Sequence, residues 1–249
     1  MSGHSKWATI KRKKEATDAK RSNMYAKLLR AVEVAAREGG GSVDGNMTLA
    51  SAVEKAKGFS VPNENIDRAI KRGTGELDDG ARYEELTYEG YAPGGVALLI
   101  EVLTDNRNRT GQEIRHAFTR NSGNLGDQGS TAWMFTRRGL LAVEKDVAPD
   151  EDRLVELALE SGAEDLRDAE SSWEILTAPT DFKKVSDALE VAGVPVASAE
   201  ITMFPQTSIP VEGGEARRVL QLIEALEDLD DVQSVYANFD IPEEVMASL

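Results

Sequence analysis

The stretch YEELTYEGYAPGGVALLIEVLTD, residues 83–105, divides the chain into two kinds of structure. Before it, apolar residues recur every three to four positions. Within it they alternate, break at Pro93-Gly94-Gly95, and resume as the denser run VALLIEVL at 96–103. Alternation marks a strand with one buried face, Pro-Gly-Gly marks a turn, and the denser run marks a more buried second strand, so the stretch reads as a β-hairpin.

Working downstream, the pattern predicts a helix over 110–120, a glycine-rich loop SGNLGDQGS, and a short strand around 133–136. A unit follows with strands at 139–144, 164–168, 172–177 and 198–204 and helices at 150–161 and 180–191, the βαββαβ order of a ferredoxin-like fold. A helix over 214–226 and a strand over 232–239 supply what the hairpin lacks to complete its sheet layer. Upstream, residues 18–37 form an amphipathic helix with Met24, Tyr25, Leu28, Leu29, Val32 and Ala36 on one side and Lys20, Lys27, Arg30 and Arg37 on another. The glycines of REGGGS stop it. Further helices are expected over 46–57 and from 60–63 to Gly73. The expected fold class is therefore α+β and multi-domain: a basic helical domain (1–81), a middle α/β-sandwich domain (82–137 with 205–249), and a ferredoxin-like α/β-sandwich domain (138–204) inserted in it.

The 249 residues carry a net charge of −15, unevenly spread. Residues 1–82 hold 16 Lys and Arg against 11 Asp and Glu, whereas residues 83–249 hold 13 against 33. The first 37 residues alone hold 10 cations against 3 acids. A basic part on an acidic body points to a polyanionic partner, since the body is repelled from one and a concentrated patch must hold it; a solvated charged face is the competing reading. Lys6, Lys11, Arg12, Lys13, Lys14, Lys20 and Arg21 can neutralise phosphates, as can Lys27 and Arg30 on the helix. Trp7 can stack on a base or sugar, or anchor the N-terminal arm to the helical domain. The exposed side of helix 18–37 offers cations with few base-reading groups, so it is expected to contact phosphates with weak sequence discrimination. A second basic group, TDNRNRTGQEIRHAF, places Arg107, Arg109, Arg115 and Arg120 at and after a strand-to-helix turn that Asp105 or Asn106 can cap. Either these arginines meet an anion or they pair with Glu85, Glu89, Glu101 and Glu113.

Enzymatic signals are weak. Cysteine is absent, which removes disulfides, thiol catalysis and thiolate zinc sites and fits a reducing cytoplasm. His4 and His116 are the only histidines, too few and too far apart for a histidine metal cluster or a Ser-His-Asp triad. GTGELDDG lacks the spacing of a nucleotide-binding turn, and no GxxxxGK[ST] occurs. No apolar run reaches the roughly 20 residues of a membrane span. The expectation is a cytoplasmic, non-enzymatic chain without cofactor, metal or small-molecule substrate.

The blocks SGHSKWATIKRKKEATDAKRS, AAREGGG, AIKRGTGE, YEGYAPGGVALLIE, TDNRNRT and GNLGDQGS, in this order, closely resemble the YebC/PmpR family of bacterial proteins and its mitochondrial relative, the translational activator of cytochrome oxidase. The resemblance implies a helical N-terminal domain with two α/β domains and a regulator of gene expression. Transcriptional control through DNA is its usual description. Translation, through ribosomal RNA and the ribosome, is the alternative. The positions that match are Lys6, Trp7, the basic residues from Lys11 to Arg21, and the turn from Asn106 to Arg109.

Overall fold

A computed structural model describes residues 18–77, 83–169 and 171–241, with side chains from Arg21 onward. Among the described residues three helices come first: α1 (Asp18–Gly39), α2 (Met47–Gly58) and α3 (Asn63–Gly73). Leu28, Val32, Ala35 and Ala36 of α1 pack with Leu49, Val53 and Ala56 of α2 and Ile66 and Ala69 of α3 around one small core. Asn46 ties two of these helices together. Its Oδ1 accepts from the Leu49 amide at 3.1 Å as the cap of α2, while its Nδ2 donates to the Ala35 and Gly40 carbonyls at the end of α1.

The approach of α3 to α1 depends on Gly73. A Cβ there would lie 2.2 Å from the Glu33 carbonyl oxygen and 2.8 Å from the Ala36 Cβ. One is a helix carbonyl and the other a Cβ fixed to the same helix, so neither can step aside. Gly73→Ala is therefore expected to lower stability by about 1–3 kcal/mol through overpacking, whereas Gly58→Ala, with open space around its Cβ position, should unfold close to wild type. Thermal unfolding of the two variants makes the comparison.

The hairpin is present. Strand β1 (Glu84–Tyr91) pairs antiparallel with β2 (Ala97–Thr104), in register from Glu84 with Thr104 to Tyr91 with Ala97. Gly94 and Gly95 in the turn have φ of +77° and +76°, a region that glycine enters without steric penalty. Helix α4 (Arg107–Arg120) follows, three residues earlier than the periodicity placed its start, because Asn106 caps it: its side chain accepts from the Arg109 amide at 3.2 Å.

Two expectations on this segment are corrected. The glycine-rich loop contains a two-residue strand, β3 (Asn124–Leu125), which pairs with Gly90 and Tyr91 on the edge of the sheet. The separate strands expected at 133–136 and 139–144 are a single strand, β4 (Phe135–Glu144), preceded by a 3-10 turn over Ala132–Met134. Arg137 and Arg138 interrupt the apolar pattern there because the first part of β4 pairs only with β7, where Arg138 lies opposite Thr202.

From β4 the chain runs through α5 (Glu151–Ser161), β5 (Ala163–Ala169), β6 (Ser172–Thr177), α6 (Phe182–Val191) and β7 (Ser198–Pro205). These strands form one antiparallel sheet in the order β5-β6-β4-β7. Leu141, Val143 and Ile175 meet Leu154, Ala158, Val185 and Leu189 of the two helices on one face. This is the ferredoxin-like arrangement. After a short strand β8 (Ile209–Pro210), α7 (Gly213–Glu227) and β9 (Val232–Ala237) return to the first sheet, giving the order β3-β1-β2-β9; β10 (Phe239–Asp240) pairs parallel with β8. Leu98, Ile100 and Val102 of β2 point to α4 and α7, where Ile114, Phe118, Val219, Leu222 and Ile223 are buried. Ala97, Leu99 and Tyr236 on the opposite face pack with Phe135, Met134 and Met203, joining the two sheets.

Candidate nucleic-acid interface

The polar side of α1 does not stand free in solvent. Asn23, Lys27 and Arg30 occupy positions i, i+4 and i+7, one stripe of the helix, and this stripe lies against the end of α7. Asn23 Nδ2 donates to the Asp228 carbonyl at 3.1 Å, and Lys27 Nζ donates to the Glu227 carbonyl. Arg30 Nη1 donates to the carbonyls of Leu103 (3.2 Å) and Asp230 (3.0 Å) and to Asp231 Oδ1 (2.9 Å). The last carbonyls of a helix lack intrahelical donors and carry partial negative charge, so cations and amides settle there. The guanidinium of Arg30 also lies over the Tyr83 ring, 5.1 Å from its centroid.

Lys27 is 8% exposed. The expected phosphate-contacting surface on α1 is thus replaced, at Lys27 and Arg30, by a clamp between the helical domain and the first sheet layer. Arg37 pairs instead with buried Glu33 at 3.0 Å, which Arg72 approaches from α3 at 3.3 Å.

Asp231 is the hub of this clamp. Its carboxylate, 2% exposed, meets Arg30 through Oδ1 and Arg109 Nη2 (2.7 Å), Thr110 Oγ1 (2.5 Å) and Thr104 Oγ1 (3.0 Å) through Oδ2. Three distant segments converge on one charge. Burial alone would raise its pKa. The hydrogen bonds from Thr110, Arg109 and Thr104, with the charge of Arg109, outweigh burial and hold it below the ordinary carboxylate value. Hydrogen bonds to Asp231 and Asp105, with their charges, raise the pKa of Arg109. Arg109 thus pairs with two protein carboxylates through Nη2 while its side chain remains 46% exposed. Asp231 was not singled out by its sequence, for it is one of 33 acids in residues 83–249 and sits in a run LEDLDD that offers nothing to distinguish it.

The glycine-rich loop has a comparable centre. Glu89 on β1 accepts the backbone amides of Gly129 (2.6 Å), Thr131 (2.6 Å) and Ala132 (2.7 Å), so the end of the loop and the two residues after it close on a carboxylate. Burial pushes the Glu89 pKa up, but these amides and the Thr131 hydroxyl hold it below its ordinary value. The expected pairing of Glu89 with a nearby arginine is replaced by backbone donors. Among the described residues, Glu85, Glu101 and Glu113 likewise make no ion pair with Arg107, Arg115 or Arg120.

The remaining predicted residues fall in three places. Lys6, Trp7, Lys11, Arg12, Lys13 and Lys14 lie outside the described residues, and Lys20 lies in α1 with its side chain outside them. Arg21 is exposed at the start of α1. Arg107 is exposed at the first residue of α4, followed along the same helix by exposed Asn108, Gln112, Arg115, His116, Thr119 and Arg120. Among the described residues, no three His, Asp or Glu side chains are grouped as metal ligands, and no helix is long and apolar enough to cross a membrane.

A helical bundle clamped onto two antiparallel α+β layers, with its cations gathered toward one end, defines the class of chain. The match to known families is specific: residues 5–76 fit the TACO1/YebC protein N-terminal domain and residues 83–239 the TACO1/YebC second and third domain. The chain belongs to the TACO1/YebC family. It is 57% identical over 242 residues to a protein of Pelotomaculum thermopropionicum, covering 97% of this chain and 99% of that one, and 53% identical over 249 residues to one of Syntrophus aciditrophicus, covering 100% and 99%. Both relatives are named probable transcriptional regulatory protein. The crystal structure of a conserved hypothetical protein from Aquifex aeolicus is similar over 92% of this chain and 94% of that one, with a TM-score of 0.78 and 46% identity.

Proposed function

We propose that the protein is a cytoplasmic regulator of gene expression that acts by binding nucleic acid and catalyses no reaction, with DNA as the partner that the names of its relatives favour. The observation that carries this reading is charge segregation: 10 cations against 3 acids in the first 37 residues of a chain whose net charge is −15. Phosphate contact is assigned to Lys6, Lys11, Arg12, Lys13, Lys14, Lys20 and Arg21, with Trp7 beside them and Arg107 on α4. Lys27, Arg30 and Arg109 are removed from the binding set, since carbonyls and carboxylates of the protein already occupy them.

The test is binding as a function of salt. Replacing Lys11, Arg12, Lys13 and Lys14 together with Glu should weaken binding to duplex DNA and lower the log–log salt slope by roughly 3 to 4 if all four contact phosphates. The melting temperature should stay at the wild-type value. Unchanged affinity and slope would overturn the reading. Ribosomes added as competitor decide between partners: if they displace the protein from DNA at physiological salt while duplex DNA cannot displace it from ribosomes, the partner is ribosomal RNA and the regulated step is translation.

A further inference from the structure

Helix α4 presents a surface unlike any other in the acidic part of the chain. Residues 83–249 hold 13 Lys and Arg, and four of them (Arg107, Arg109, Arg115, Arg120) fall in these 14 residues with a single acid, Glu113. Arg109 turns to Asp231, and the others face solvent. By contrast, the exposed side of α5 carries Glu151, Asp152, Glu156 and Glu160, an ordinary solvated face for a chain of this composition.

The centre of the α4 surface is polar in a particular way. Asn108, Gln112, Arg115 and Thr119 stand at i, i+4, i+7 and i+11, a single ridge about 16 Å long at 1.5 Å per residue. All four are exposed, and the side chains of Asn108, Gln112 and Arg115 make no hydrogen bond or ion pair with any described residue. Arg107 and Arg120 stand at the two ends, about 20 Å apart along the axis. The opposite side is fixed to the sheet by fully buried Ile114 and Phe118, and the first turn is held by the Asn106 cap and the Arg109–Asp231 contact. The ridge is thus carried on a rigid element, as a surface that must find a register requires.

We infer that the exposed ridge of α4 enters the major groove of duplex DNA, with Asn108, Gln112 and Arg115 facing base edges and Arg107 and Arg120 on the flanking phosphates. This rests on the nucleic-acid reading above and adds the element that reads sequence. Three observations favour this occupant. The ridge is cationic and free of acids, with Glu113 confined to its margin, which complements a phosphate-lined groove. Asn and Gln pair with adenine N6 and N7, and Arg pairs with guanine O6 and N7, in a groove about 12 Å wide that admits a helix. No Phe, Tyr or Trp lies on the ridge, and the deep, narrow major groove of A-form RNA excludes a helix. The discrimination that α1 lacks is assigned to α4.

The test selects from a pool of duplexes carrying a randomised stretch two helical turns long, with full-length protein at physiological salt. Wild type should enrich a defined sequence and prefer it over scrambled duplex. The triple variant Asn108→Ala, Gln112→Ala, Arg115→Ala should lose at least about 30-fold of that preference, given that one bidentate contact discriminates about 5- to 150-fold. Its affinity for scrambled duplex should change by no more than a few fold. The single variant Gln112→Ala repeats the readout at a site whose loss cannot unfold the protein.

Failure to enrich any sequence, an unchanged preference in the variants, or equal competition by an A-form RNA duplex would each overturn the inference. If wild type binds neither DNA nor RNA, the general reading fails with it. If the N-terminal Glu variant loses affinity while the α4 variants keep wild-type preference, this inference alone fails.

Discussion

Asp231→Ala is expected to lower the stability of the folded chain by about 3–5 kcal/mol, the range for removing one partner of a buried charge pair. The loss should fall at the lower end. Arg109 has a side chain 46% exposed and regains water when its partner is gone, whereas Arg30, at 19%, regains little. Thr104 and Thr110 are fully buried and retain only each other and the backbone around Asn106 as partners. Because Arg30 belongs to α1 and the other groups to the sheet layer, the variant should also weaken the hold on the helical domain. Urea unfolding measures the loss, and faster limited proteolysis of the helical domain reports the looser hold. Replacing the pair together, Arg30→Met with Asp231→Leu, should recover part of the stability, since neither charge is then left buried alone. A loss under about 1 kcal/mol for Asp231→Ala, below the usual range for a buried pair, would mean that the clamp carries little of the fold.

Glu89→Ala should also be damaging, for a different reason. It strips the acceptor from the amides of Gly129, Thr131 and Ala132; the Thr131 amide is buried and costs about 1–3 kcal/mol when left unsatisfied, whereas exposed Gly129 can turn to water. Loss of about 1–3 kcal/mol is expected, with increased amide exchange in the loop and in β3, which the loop holds against β1. Glu89→Gln preserves the shape but turns an NH₂ group toward donors that need an acceptor, so it should recover only part of the loss. The two carboxylates also contribute to the pH dependence of stability. Glu89 and Asp231 both have folded pKa values below their ordinary 4.5 and 3.8. Their contribution is therefore complete above the unfolded values and disappears as pH falls through the folded ones. Stability should be flat near neutrality and decline below about pH 5, and Glu89→Gln should show a shallower decline over that interval. A decline of wild-type slope in Glu89→Gln would remove Glu89 from the acid transition.

Local information was enough for much of this architecture. The 3.6-residue period of α1, the alternation of β1, the Pro-Gly-Gly turn and the βαββαβ order each depend on neighbouring residues, and each is present. The cap at Asn106 was legible for the same reason, since the side chain and the amide it accepts are three residues apart. Strand β3 was not legible: two residues of a glycine-rich loop become a strand only because Gly90 and Tyr91 lie beside them. The division of β4 at Arg137 and Arg138 failed in a related way, as their polarity follows from pairing with β7 more than sixty residues later.

The cations show the boundary most sharply. Sequence established that positive charge is concentrated near the beginning of the chain and again on α4, because charge is a property of each residue. Which of those charges remain open to a partner was decided by tertiary contacts. Lys27 meets the last residue of α7 and Arg30 the turn after it, some 200 positions away, and Arg109 meets Asp231 at a separation of 122. A cation on a helix face has the same local signature whether it faces phosphate or the carbonyls of another helix, since both present negative charge at hydrogen-bonding distance. Only the contact of α1 side chains with the end of α7 and the turn after it, and the burial of Asp231 there, distinguish the two.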